Sequence, residues 1–197
     1  MGGAQSFQIR LGCKNTAMLP IKYQASILTF LFDRLPIGED VDSMEFSLSG
    51  QFAGKYHIAH SAIETATGDA HIVFTLPCYS HSVFLALTRI NVAETARLLA
   101  NLEDFERESS QDLRLGEVVI TPEQELRDHE MPFAVILLRT ATSLECARVP
   151  DSWEIDGKRT SFFFVVPLTM AEWELRSKSG HDALMEKFEA SGKELFF

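Results

Sequence analysis

Basic residues are scarce: 18 Lys and Arg stand against 28 Asp and Glu, a formal net charge of −10. Nucleic acids and anionic membrane surfaces are bound through clustered Lys and Arg, so neither is an expected partner and a basic protein is. Cysteine is scarcer still. Cys13, Cys78 and Cys146 are widely spaced, without any Cys-x-x-Cys pair, which argues against a disulfide framework or a zinc knuckle and for a reducing compartment. No apolar run approaches the roughly 18 residues of a membrane span, and no basic leader precedes an apolar segment. The chain is therefore expected to be cytoplasmic, neither exported nor anchored. Gly-x-Gly-x-x-Gly, the Walker loop and Gly-x-Ser-x-Gly are all missing, and with them the common phosphate cradles and the nucleophile elbow. Repeats, low-complexity tracts and linkers are missing too, so residues 1–197 are expected to form a single domain. A domain of that length buries roughly 70% of its unfolded-chain surface.

What is present centres on residues 161 to 192. Phe162 to Val166 is an unbroken run of aromatic and β-branched residues, which suits a central strand covered on both faces. Pro167 cannot donate to a ladder, so the strand is expected to stop there. Thr169 with Glu172 has the capping-box spacing, and Leu168 with Trp173 can close as a hydrophobic staple. Gly180 should end this helix, and Asp182 should cap another that carries Leu184 and Phe188 on one face and stops at Gly192.

Elsewhere the signals vary in strength. Phe7, Ile9 and Leu11 give a weak extended pattern, and Ile27 to Phe32 suits either a strand or a helix. Residues 35 to 42 read as a loop. Phe46 to Phe52, Lys55 to Ile63 and Ala70 to Leu76 alternate as strands of an antiparallel meander, with Ala53-Gly54 as the first connection. Val83 to Thr88 is a further apolar run left open between strand and helix. Asn91 with Glu94 starts a helix whose stripe is Val92, Ala96 and Leu99, with Leu98, Leu102 and Phe105 beside it. Phe133 to Leu138 is another buried strand, and Trp153 and Ile155 lead through Asp156-Gly157 into the central one. The fold class expected is α+β: a mixed β-sheet flanked by helices.

Chemistry is thinly signalled. His57, His60, His71, Cys78 and His81 form the one metal-like collection. On a strand, however, positions 57 and 60 point to opposite faces, whereas two ligands of one ion must converge. Cys78 with His81 resembles a thiolate and its base, but no third group orients the imidazole, and free cysteines usually pack as small apolar residues. No cofactor is expected. From Asn101 to Glu130 ten Asp and Glu face three Arg, a net of −7 out of −10. Leu113, Leu115 and Val118 to Ile120 would tether this run as an acidic surface loop. Glu103, Asp104, Glu106, Glu108 and Asp112 are its candidate partner-binding residues, because a concentrated negative field steers basic partners. The same run also reads as a solvated face that aids solubility.

Val165-Val166-Pro167-Leu168-Thr169-Met170-Ala171-Glu172-Trp173-Glu174-Leu175, followed by Ser179-Gly180-His181-Asp182-Ala183-Leu184-Met185-Glu186-Lys187-Phe188, resembles the C-terminal signature of the suppressor of fused domain family. The helix of small and leucine residues from Asn91 to Leu102 is similar to one in that family. So are Leu115-Gly116-Glu117-Val118-Val119, where Gly-His is the more usual pair, and the strand from Met131 to Arg139. The resemblance covers residues 83 to 192. It implies a mixed α/β domain that acts by binding protein and is not an enzyme. Animal members sequester zinc-finger transcription factors, and for a compact stand-alone domain of bacterial type the resemblance implies an immunity protein that neutralises a toxin. The competing reading is a metal-dependent or thiol enzyme using His57, His60, Cys78 and His81.

Overall fold

The computed structural model describes residues 18–38, 40–48, 54–65, 68–89, 91–109, 111–123, 126, 129, 131–140 and 148–197. The expected signal at Phe7, Ile9 and Leu11, the connection at Ala53, Cys13 and Cys146 lie outside them. In chain order the elements are α1 (Ile21–Phe32), β1 (Asp42–Leu48), β2 (Gly54–Thr65), β3 (Gly68–Leu76), β4 (Ser82–Thr88), α2 (Val92–Ser109), β5 (Val118–Ile120), β6 (Ala134–Leu138), β7 (Ser152–Ile155), β8 (Lys158–Leu168) and α3 (Met170–Ser191). The strands form one eight-stranded sheet in the order β1-β2-β3-β4-β8-β6-β5, with β7 paired to part of β8. Among the described residues only the β4–β8 ladder is parallel. This is the expected α+β architecture, and it contains the expected meander from β1 to β3.

The continuous apolar run of β8 is explained by cover on both faces. Phe162, Phe164 and Val166 enter one core with Tyr23, Ile27 and Leu31 of α1 and with Leu184 and Phe188 of α3. Phe163 and Val165 enter the other with Ala96, Leu98, Leu99 and Leu102 of α2. A fully buried Phe or Val contributes about 1.5–3 kcal/mol, so these five residues together contribute on the order of 10 kcal/mol. Every residue of β4 is buried, which settles Val83 to Thr88 as a strand. Ile27 to Phe32 belongs to a helix, α1, with Ile27, Phe30 and Leu31 on its buried side.

Pro167 does not end the strand. It is opposite Val135 within the β6–β8 ladder, and β8 continues to Leu168. The reason is directional. Leu137 exchanges bonds with Gly116 and Glu117, and the Phe133 carbonyl accepts from Thr121, so the odd residues of β6 turn their backbone groups toward β5. Val135 and Pro167 are then a non-hydrogen-bonded pair, and the missing N–H lies on the β4 side. There the parallel ladder has already ended at Phe164, so no donor is lost.

The capping box closes as expected: the Thr169 hydroxyl accepts from the Glu172 amide (3.3 Å), and Glu172 Oε2 accepts from the Thr169 amide (2.8 Å). Leu168 and Trp173 pack into the same core, and Trp173 meets Phe133 edge-on at 5.4 Å. Gly180, with φ 91° and ψ −179°, breaks α3 into two segments, and Gly192 ends it in the left-handed conformation. Asp156 and Gly157, both with positive φ, form the tight turn between β7 and β8.

The acidic run is not one surface loop. Its first nine residues, 101–109, are the C-terminal half of α2, with Glu103 at 0% and Glu106 at 6% exposure. Phe105, assigned to the apolar stripe, is exposed instead.

Candidate functional site

Asn91 fixes the start of α2 by accepting the Glu94 amide on its side chain (3.1 Å). The apolar stripe then seats the helix on the sheet, and its last turns reach the Pro77–Ser82 loop that leads into β4. Glu103 Oε1 accepts the amides of Cys78 (2.6 Å), Tyr79 (2.7 Å) and Ser80 (3.4 Å). One turn on, Glu106 Oε1 accepts from the Ser82 hydroxyl (2.9 Å) and from the Leu113 amide (2.9 Å). Two buried carboxylates thus hold two loops against one helix.

Burial pushes the Glu103 carboxyl up to about 7, although the three amides pull the other way. Burial also raises Glu106 and Asp104. Asp104 accepts a hydrogen bond from the Tyr56 hydroxyl. Arg107 donates to the same hydroxyl (3.3 Å) and lies over the Tyr79 ring at 4.0 Å. Burial, with Asp104 next in effect, raises the Tyr56 phenol well above its ordinary value.

Of the five carboxylates assigned to partner contact, Glu103 and Glu106 therefore turn inward and serve as internal acceptors. Asp104 is partly buried, and Glu108 and Asp112 are exposed. Beside them opens a cleft of about 740 Å³, walled by Tyr79, His81, Glu106, Arg107, Asp112 and Arg159 among others.

The histidines do not converge. Odd positions Ala59 and Ile63 of β2 face one core while even positions Tyr56 and Ile58 face the other, so His57 and His60 leave on opposite faces. His57 Nδ1 lies 3.1 Å from Gln24 Oε1, with Nε2 3.4 Å from Glu45. His60 packs against His71 at 5.8 Å between ring centroids, and His81 Nδ1 is 3.3 Å from the Tyr23 hydroxyl. Among the described residues no group of three or more His, Cys, Asp or Glu could hold a metal ion.

Cys78 is fully buried. Its sulfur accepts from Gln24 Nε2 (3.2 Å) and lies 3.5 Å from the Leu76 carbonyl. Burial first, then the Glu103 charge, push its thiol up to about 12, so it is a thiol and not a thiolate near neutrality. Gln24, which bonds Pro77, Cys78 and His57 at once, carries no motif. Its position among the buried residues of α1 would have been the one sequence signal.

No family model matches the chain, and no curated protein matches it. A suppressor of fused homolog from Neisseria gonorrhoeae superposes with a TM-score of 0.65 at 13% identity, covering 90% of this chain and 94% of that one. The chain has a suppressor of fused-like fold. Two longer proteins also match: the Sufu–Fu complex structure (TM-score 0.43, 8% identity, 77% of this chain and 68% of that one) and Drosophila Suppressor of Fused (0.42, 9%, 77% and 38%). Among the described residues, no helix is long and apolar enough to cross a membrane.

Proposed function

We propose that this is a non-enzymatic protein-binding domain that takes a basic protein partner at the C-terminal end of α2, with Glu108 and Asp112 as its outward carboxylates. The observation that carries the reading is the division of labour among the acidic residues. Glu103 and Glu106 tie the 78–80 and 113 backbone to the helix, which leaves Glu108 and Asp112 on a preorganised surface. Rigid presentation lowers the ordering cost of binding. The net charge of −10 supplies the long-range attraction, while Arg107, Arg114 and Arg159 in the cleft give the alternation of sign that fixes register. On the family resemblance of its C-terminal motifs, the basic partner is a toxin that this domain neutralises in the cytoplasm as an immunity protein. Against the thiol-enzyme alternative stands the Cys78 thiol, raised to about 12 and bonded to an amide side chain in place of a base.

The test is co-expression with the product of the adjacent gene, followed by association kinetics of the purified pair. Raising salt from about 0.01 M to about 0.15 M shortens the Debye length from about 30 Å to about 8 Å, so the on-rate should fall steeply and the off-rate little. Glu108→Lys with Asp112→Lys should slow association roughly tenfold or more at low salt. An on-rate indifferent to both would mean that the acidic surface is only solvated.

A further inference from the structure

A second cavity, of about 350 Å³, lies away from the cleft between the Leu115-Gly116 turn, the end of β6 and α3. Its walls include Leu138, Arg139, Arg176, His181 and Met185, and among the described residues no Asp or Glu lines it. Arg176 reaches it from the first segment of α3 and His181 follows the Gly180 break, so the interruption of the helix sets the two side chains around one space. Arg176 Nη2 is anchored on the Gly116 carbonyl (3.2 Å). Gly116 has φ +78°, and a side-chain carbon there would lie 3.7 Å from the His181 ring.

The polar accounting of this cavity is unbalanced. Arg176 Nε and His181 Nδ1 are both shut off from solvent, and neither has a hydrogen-bond partner among the described residues. Buried donors left unpaired are costly, and a guanidinium more so than an amide. At the rim Arg139 meets Asp151 at 3.4 Å and is 64% exposed. A cavity of this size falls at the lower end of the range for small-molecule sites, roughly 300–1,000 Å³, which pair apolar walls with a few placed polar groups. Here every charged wall group is cationic, and the apolar walls are leucine and methionine.

We propose that this cavity binds a small organic oxyanion, a carboxylate or a phosphate monoester. Its charged head accepts hydrogen bonds from Arg176 Nε and His181 Nδ1, and its apolar body lies on Leu138 and Met185. Arginine suits the role because its planar fork presents several donors to one oxyanion. The ligand selects the imidazole form that carries its proton on Nδ1.

The experiment titrates the whole protein with phenylacetate, phenyl phosphate and inorganic phosphate, following the melting temperature and the Gly116 amide and His181 ring resonances. At least one of the two aromatic probes should raise the melting temperature and move both resonances, and the stronger of them identifies the head group. Inorganic phosphate, lacking an apolar body, should bind more weakly. Arg176→Lys keeps the charge but loses the fork and should weaken binding about tenfold. Arg139→Gln, on the exposed rim, should weaken it while changing the melting temperature of the unliganded protein little, because exposed ion pairs contribute little to stability. The proposal is overturned if no probe moves those resonances at about 10 mM, a concentration that detects even millimolar affinity. Binding that both variants leave intact, or inorganic phosphate binding as tightly as the aromatic probes, overturns it equally.

Discussion

Replacing Glu103 with glutamine should leave a protein whose stability advantage over the wild type grows with pH. The wild-type carboxyl is raised from 4.5 to about 7. Between those values the folded state keeps a proton that the unfolded state has released, so unfolding free energy falls as pH rises through the interval. Each pKa unit corresponds to about 1.4 kcal/mol, which makes the loss from this one group about 3 kcal/mol by about pH 8. The amide side chain of the Glu103→Gln variant retains an oxygen for the backbone donors of Cys78, Tyr79 and Ser80 and has nothing to ionise. The difference between variant and wild type should therefore be flat below about pH 4.5 and rise toward about 3 kcal/mol at about pH 8. Asp104 and Glu106 are raised as well, but they are present in both proteins and largely cancel. Urea unfolding across that range, with an uncharged denaturant, measures the difference directly. Glu103→Ala is the contrast: it strips the acceptor from three amides and should cost on the order of 3 kcal/mol below about pH 4.5, a cost that shrinks toward about pH 8 because this variant also has nothing to ionise. A variant-minus-wild-type difference that stays constant from about pH 5 to about pH 8 would show that Glu103 ionises as an ordinary surface carboxylate, and the account of the helix–loop clamp would fail.

Thr169→Ala removes the acceptor of the Glu172 amide and should cost about 1 kcal/mol, while Trp173→Ala, which empties the space beside Phe133, should cost about 3 kcal/mol in the same denaturant assay. Lys193 pairs with Glu172 at 2.7 Å, with the two side chains 15% and 10% exposed. Burial alone would raise that carboxyl, but Lys193 and the Thr169 amide outweigh it and hold it below its ordinary value. The pair therefore contributes stability above about pH 4.5 that is lost as pH falls through the lowered folded value. Lys193→Met should cost on the order of 3 kcal/mol near neutrality and flatten the acid limb of a stability-versus-pH curve. Gly180→Ala meets no neighbour within 4 Å yet forces a side chain into a region of φ and ψ that glycine alone adopts, so thermal unfolding should report about 1–3 kcal/mol of strain.

The parts of this fold that are legible in the sequence are those decided within a few residues. Asn91 with Glu94 and Thr169 with Glu172 set helix starts because a cap bonds three residues on, and the Asp156-Gly157 turn needs positive φ at adjacent positions. The opposite facing of His57 and His60 follows from strand periodicity alone. Other features depend on partners distant in sequence. Whether Pro167 stops a strand depends on which neighbour its absent N–H would have faced, and that neighbour, β4, lies about eighty residues earlier and ends its ladder at Phe164. Glu103 and Glu106 read as solvent-facing charges because they sit in an acidic run. They are buried because the Pro77–Ser82 and Leu113 backbones return to the same helix face with donors to satisfy. Ile27 to Phe32 stays undecided in the sequence because a short apolar run suits either element until its packing partners are known.

The position of β8 in the middle of the sheet also has a kinetic side. During synthesis β1 to β4 can pair as soon as they emerge, but the strand that covers the far edge of β4 consists of residues 158–168. Until then β4, apolar at nearly every position, presents an open row of backbone donors and acceptors to whatever is nearby, the kind of edge that recruits strands from other chains. Pulse-labelled nascent chains that stop before residue 158 should therefore aggregate or hold chaperone, and those extended past residue 168 should release it. Slow translation between β4 and β8 would lengthen the vulnerable interval without altering a single native contact.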